Sequence, residues 1–186
     1  NYKIRKQNLE DEIYRIKNSN EENKEKKIKK LEQRYTLGGL NFDAVVIADF
    51  SESLKSVSTS LLYTDVSPKN KYFITLNQWF EKSLLNEIDI QPLYYPSINK
   101  INFENYKVKF FKKFNEYPSH LSLLSYDLVG LIYYLSLKTD LSNLSKVFKK
   151  QNSFKGKIGI FEIKNNKINH KLNFYKIENK KIIEIF

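Results

Sequence analysis

The sequence predicts an α/β fold, a doubly wound parallel sheet followed by a C-terminal antiparallel strand meander. Three observations predict it. Two short apolar runs, Phe42–Ala48 and Tyr72–Leu76, flank a helical stripe, and strand, helix and strand within about 35 residues make a βαβ unit. Helical stripes and breakers then alternate as far as residue 150. From residue 151 the pattern changes to short β-branched runs separated by turn residues.

The elements follow in order. Leu9, Ile13 and Ile16 share one helical face before Asn18-Ser19-Asn20 interrupts. Ser19 with Glu22 three residues later reads as a capping box, restarting a helix that carries Ile28 and Leu31. Gly38-Gly39 ends this region. Phe42–Ala48 reads as a strand covered on both faces, as in a parallel sheet. Ser51 is expected to cap a helix with Leu54, Val57, Leu61 and Leu62 inward. Pro68 marks a loop, and Tyr72–Leu76 is a second buried strand. Leu93-Tyr94-Tyr95 is extended between Pro92 and Pro96. Phe103, Tyr106, Phe110 and Phe114 form the next helical stripe, which Pro118 breaks.

A long apolar helix is expected from about Ser119 to Lys138, with Leu121, Leu124, Leu128, Leu131, Ile132 and Leu135 inside. Leu141, Leu144 and Phe148 predict a shorter one. The final strands are Ile158–Ile163, Leu172–Ile177 and Ile182–Phe186, with turns at Asn165-Asn166 and Glu178-Asn179-Lys180.

Composition bounds the function. A chain of 186 residues, 41% hydrophobic and 15% aromatic, can bury the core of one domain and of a small second one. No unbroken run of 18 apolar residues occurs, so the chain is not expected to span a membrane. The start at Asn1, without a signal-peptide pattern, reads as a fragment whose upstream part is missing. Absence of cysteine removes disulfides, thiolate metal sites and cysteine nucleophiles. The net charge of +11 is spread out: the first 35 residues hold 11 basic and 7 acidic side chains, and the rest of the excess lies downstream. A compositional bias toward Asn, Lys and Ile explains that better than a nucleic-acid arm, and no nucleic-acid partner is expected.

Catalytic patterns are lacking. His120 and His170 are the only histidines, they are far apart, and neither has an acidic residue at metal-ligand spacing; both read as surface or loop residues. There is no phosphate loop and no nucleophile elbow. No enzyme activity, cofactor or metal is therefore expected. Asp127, inside an apolar helix, must be paired or near an end, and reads as a structural hydrogen-bonding residue.

The informative positions are where the two buried strands stop. Ligands of open parallel sheets bind beyond the carboxyl ends of the strands. Those ends are Asp49-Phe50-Ser51 and Asn77-Gln78-Trp79, each setting an aromatic beside polar groups, as a small-molecule cleft requires. The same residues would also serve as a plug of the sheet rim, with Asn77 capping a turn, and both readings stand.

These segments, in this order, resemble the type I periplasmic binding proteins of the leucine/isoleucine/valine-binding kind. The resemblance rests on the strand Phe42–Phe50 with its helix, on Thr75-Leu76-Asn77-Gln78-Trp79, on Tyr95-Pro96, and on the helix Phe103–Phe114 leading to Tyr117-Pro118. Tyr126-Asp127 looks like the family's Tyr-Asp-Ala turn into a helix. Phe154-Lys155-Gly156-Lys157-Ile158-Gly159-Ile160-Phe161 looks like its closing F-x-G-x-x-G-x-F stretch. The resemblance implies two doubly wound lobes joined by crossing strands, with 1–92 mainly second-lobe elements, 93–150 helices returning toward the first lobe, and 151–186 the C-terminal strands. It implies a periplasmic solute receptor, closing on a small-molecule ligand and serving membrane permease subunits of an ABC importer. Asp49, Phe50, Ser51, Asn77, Gln78 and Trp79 would contact the ligand, and Tyr95, Pro96, Tyr126 and Asp127 would be structural or hinge positions. The family's amino-acid binders hold the ligand ammonium with an acidic residue near the second strand end, where Asn77 and Gln78 are neutral. Lys167–Leu172 is similar also to the closing hairpin of a neighbouring branch, envelope lipoproteins that activate penicillin-binding proteins, which implies a cell-wall synthase as the alternative partner.

Overall fold

The computed structural model describes residues 2–38, 41–138, 146, 152–157, 159–165 and 167–186. Among the described residues, five helices and eight strands appear in chain order: α1 Tyr2–Lys17, α2 Lys24–Glu32, β1 Ala44–Ile47, α3 Ser51–Leu62, β2 Tyr72–Thr75, β3 Leu93–Ser97, α4 Lys100–Phe114, α5 His120–Lys138, β4 Asn152–Lys155, β5 Ile160–Lys164, β6 Lys167–Lys171, β7 Asn173–Glu178 and β8 Lys181–Glu184. Two short 3-10 turns, Lys82–Asn86 and Ile88–Ile90, link β2 to β3. The expected Leu141, Leu144 and Phe148 helix lies outside the described residues.

One sheet has the order β1-β2-β3-β7-β8, and a second has the order β4-β5-β6. β1 and β2 are parallel, with Ala44 opposite Tyr72 and Ile47 opposite Thr75; β2 and β3 are parallel too, with Phe73 opposite Leu93. The parallel α/β arrangement is the one the sequence predicts. The C-terminal strands differ from the single meander expected. β4, β5 and β6 pair antiparallel by themselves, whereas β7 and β8 join the parallel sheet. Sequence spacing cannot distinguish these outcomes, because both leave each strand next to its chain neighbour.

The chain divides into two compact units. The first comprises residues 1–76, 81–94 and 176–182, and the second residues 77–80, 95–175 and 183–186. In the first unit, Ile47, Phe73 and Leu93 bury the inner positions of the three parallel strands, and Leu54 of α3 is fully buried. β1 was expected to be covered on both faces, but Val46 is 68% exposed. Burial alternates along the strand, with Val46 on the open face and Ile47 on the covered one, and among the described residues β1 stands at the sheet edge, paired with β2. The inner stripe of α3 is Leu54 and Ser58, and Val57 points outward. The Ser19–Glu22 capping box does not form. The Ser19 hydroxyl instead donates to Ile16 O and accepts from Glu21 N–H, and α2 starts after Asn23, which has φ 62. Asp65 joins distant segments by accepting from the Tyr35 and Thr36 N–H groups and, at 2.6 Å, from the Thr36 hydroxyl.

In the second unit, Phe80, Tyr95, Phe103 and Tyr175 form an aromatic cluster with ring centroids 5.2–6.3 Å apart. Leu131 and Leu135 of α5 pack with Ile163 of β5 and with Phe154 of β4. The inward face of α5 is Leu123, Asp127, Leu131 and Leu135, not the wider stripe expected; Leu121, Leu128 and Ile132 are exposed and Leu124 is only partly covered. An all-round apolar helix gives no periodic signal to tell its covered side from its open one. Residues 120–137 of α5 are long and apolar enough to cross a membrane, by length and composition, with 22% of that window buried. The sequence expectation differed because it required an unbroken apolar run, whereas mean hydropathy tolerates the serines and the single Asp127.

Candidate functional site

Asp49, Phe50 and Ser51 belong to the first unit. β1 stops at Ile47 because the buried Thr75 hydroxyl of β2 donates to Ile47 O at 2.8 Å and lies 3.4 Å from Asp49 O. The chain then turns into α3. The Asp49 carboxylate accepts from the Ser53 hydroxyl at 2.6 Å and from the Phe50 N–H at 2.9 Å. These two bonds, the Ser53 hydroxyl foremost, hold its carboxyl below the usual carboxylate range. Ser51 is not the cap expected from the sequence. Phe50 occupies the N-cap position, and Ser51 is the first helical residue, at φ 48. The start of α3 is thus already served by a carboxylate of the protein itself, in the location where the helix dipole favours negative charge. Phe50 stands exposed beside it.

Asn77, Gln78 and Trp79 belong to the second unit. Asn77 Oδ1 accepts from the Trp79 N–H at 3.0 Å and from the Ser97 hydroxyl at 2.7 Å. Trp79 and Phe80 are both left-handed, with φ 50 and 59. Gln78 is buried, and Phe80 sits in the aromatic cluster. The Trp79 indole lies flat on the His120 imidazole, with centroids 4.6 Å apart and planes 8° apart, and Phe103 approaches at 6.5 Å. His120 is therefore part of the rim in this unit, where the sequence offered only a surface histidine. Its place at a helix start was legible from Pro118; its partner, 41 positions upstream, was not.

The four expected structural positions are also in the second unit. Tyr95 is fully buried, its hydroxyl has no hydrogen-bond partner among the described residues, and burial pushes that hydroxyl far above its usual range. Pro96 lies within β3. Its cluster neighbour Tyr175 donates to Ile98 O at 3.1 Å and accepts from the Lys100 N–H at 3.0 Å; burial drives its hydroxyl up to about 12. Tyr126 packs edge-on against Tyr106 at 5.5 Å. Asp127 is buried and accepts the Lys157 N–H at 2.7 Å, against a notch at Gly156 where any Cβ would collide with the carboxylate. His170 is no loop residue. It lies in β6, stacked on Phe161 at 4.3 Å, in space that a side chain at Gly159 would crowd.

Among the described residues, no group of three or more His, Asp or Glu side chains is placed to hold a metal ion. An open depression of about 520 Å³ at the α1–α2 loop is lined by Ser19, Glu21 and Lys24 among others, and none of the expected site residues lines it.

No family model matches the sequence, and no curated protein matches it. Solved structures do match. An extracellular ligand binding receptor from Desulfohalobium retbaense aligns with 77% of this chain at 14% identity and TM-score 0.53. Haemophilus influenzae LpoA aligns with 77% of it at 12% identity and TM-score 0.53. The C-domain of that LpoA, described as a regulator of PBP1A, aligns with 96% at 11% identity and TM-score 0.55. The chain spans about a quarter of the first two structures and about half of the third. At these identities the likeness is one of fold, an α/β fold shared with an extracellular ligand binding receptor and with a regulator of PBP1A, in line with the two branches that the sequence resemblance indicated.

Proposed function

We propose that this chain is a non-catalytic ligand-binding domain of a bacterial envelope protein, a solute receptor working in the periplasm with the permease subunits of an ABC importer. The observation that carries the reading is the parallel β1–β2 pair, whose carboxyl ends bear Asp49-Phe50-Ser51 and Asn77-Gln78-Trp79, in a fold shared with an extracellular ligand binding receptor. Those six residues are the proposed ligand contacts, and Tyr95, Pro96, Tyr126 and Asp127 the structural or hinge positions. The ionised Asp49 at the start of α3 disfavours an anionic group there and favours neutral or cationic polar solutes. Thermal-shift titration against amino acids, polyamines, sugars and small organic acids tests this. A solute at about 100 times its Kd adds roughly 2.7 kcal/mol of stability, and Asp49→Asn should weaken a cationic solute more than a neutral one. The reading is rejected if no solute stabilises the protein while a purified cell-wall synthase binds it.

One observation favours a second reading, an envelope regulator that acts on a cell-wall synthase through protein contacts: the PBP1A-regulator domain matches over 96% of the chain, against 77% for the receptor. Direct binding to a purified penicillin-binding protein, unchanged by Asp49→Asn and Trp79→Ala, would support it.

A further inference from the structure

The positive charge is uneven between the two units. The second unit holds 14 of the 32 basic side chains and 6 of the 21 acidic ones, so it carries +8 of the net +11. Within it, the C-terminal half of α4 is conspicuously basic. Between Glu104 and Glu116 lie Lys107, Lys109, Lys112 and Lys113, and no acidic residue. Lys107 has Glu104 as its partner at 3.5 Å; among the described residues, no carboxylate pairs with the other three. The negative end of the helix dipole accounts for Lys112 and Lys113 in the last turn. It gives no reason for the apolar side chains set among the lysines. Val108, Phe111 and Phe114 are exposed, and so are Tyr117 before α5 and Leu121 in its first turn.

Lysines alternating with rings suit an anionic partner, and the ring contacts say which kind. A protein that binds single-stranded nucleic acid keeps ring faces open for bases to stack. Here the rings are engaged with each other and with cations. Phe111 stacks on Tyr117 at 4.9 Å, and Phe114 meets Phe110 at 4.5 Å. The ammonium groups of Lys107 and Lys113 lie over Tyr117 and Phe114, at 6.0 and 5.3 Å from the ring centroids. Val108 and Leu121 offer nothing to a base, whereas aliphatic and aromatic side chains both suit acyl chains. A helix that sets lysines beside exposed Phe and Val lies in a bilayer interface, its apolar groups at the acyl boundary and its ammonium groups among anionic headgroups. We propose that the C-terminal half of α4, with Tyr117 and Leu121, is a docking face for an anionic lipid bilayer, on which the second unit rests without spanning it. The face is separate from the strand ends, so it stands whether or not a solute binds there.

Co-sedimentation of the chain with lipid vesicles tests this. Vesicles of phosphatidylglycerol and phosphatidylethanolamine should bind it, and vesicles of phosphatidylcholine should not. Each lysine at an anionic surface contributes about fivefold in affinity, so Lys112→Gln with Lys113→Gln should weaken binding by about 25-fold. Lys164→Gln with Lys167→Gln removes the same charge from the facing ends of β5 and β6 and should change binding by less than about threefold. Part of the binding should survive about 200 mM salt, where purely electrostatic attraction to nucleic acid is lost. Val108→Ser should weaken that surviving part roughly tenfold at an unchanged melting temperature, because it removes apolar burial and no charge. Failure to bind the anionic vesicles, equal binding to both kinds of vesicle, equal losses in the two lysine pairs, or tighter binding to a single-stranded oligonucleotide at that salt overturns the proposal.

Discussion

Tyr95 and Tyr175 are stacked neighbours in one cluster, yet their hydroxyls differ in kind. That of Tyr175 bridges Ile98 O and the Lys100 N–H, whereas that of Tyr95 is buried without a partner among the described residues. Removing a satisfied group costs its hydrogen bonds, and removing an unsatisfied one relieves a desolvation penalty. Tyr175→Phe should therefore destabilise by about 1–3 kcal/mol and Tyr95→Phe be neutral or stabilise by up to about 2 kcal/mol, as read by urea denaturation. His170 gives a pH effect. Burial lowers its pKa below the usual 6.5, and the Asp127 charge opposes this only in part. The unfolded chain thus takes up the proton at higher pH than the folded one, so stability is full above about pH 6.5 and falls as pH drops from there toward the lower folded value. His170→Phe keeps the ring on Phe161 and should flatten that slope in thermal melts between pH 5 and 7.5; an unchanged slope would show that His170 is equally protonated in both states.

At the level of elements, α5 sets the clearest test. Leu123 is 0% exposed and Leu121 is 72% exposed, two residues apart on one helix. Leu123→Ala should cost about 2–5 kcal/mol through lost burial and a cavity, while Leu121→Ala should stay within about 0.5 kcal/mol. Equal effects would mean that the outward side of α5 is covered in solution. The sequence placed α5 to within a residue of its start, because Pro118 and an apolar run are strong local signals. Its covered side was misread for want of periodicity. β1 shows the converse. Its position was legible as a β-branched run, but its place at the sheet edge was not, since edge or centre is decided by pairing partners distant in sequence.

At the scale of the whole molecule the net charge is +11. The ion pairs of α1 and α2, Arg15 with Glu12 and Glu21 and Lys27 with Glu21, are largely solvated and contribute little to stability. A net +11 without a basic stripe should give weak, sequence-blind attraction to nucleic acid. Such binding should be lost between about 50 and 200 mM salt. Retention at 200 mM in a filter-binding assay, or preference for one sequence, would contradict the compositional origin of the charge. The candidate site is partly a property of this scale. The strand ends were legible because ligands of parallel sheets bind there. The roles of His120 and Ser97 were not, because they reach Trp79 and Asn77 only through the folded chain.

By itself the sequence determined the α/β class, the parallel β1–β2 pair and most element positions, since these follow from local periodicity, propensity and breakers. Tertiary structure alone decided which strands left the parallel sheet, which side of α5 is buried and which polar atoms meet across it. Those outcomes depend on pairings between residues tens of positions apart, such as Asp127 with Lys157 and Trp79 with His120, and no short-range pattern encodes them.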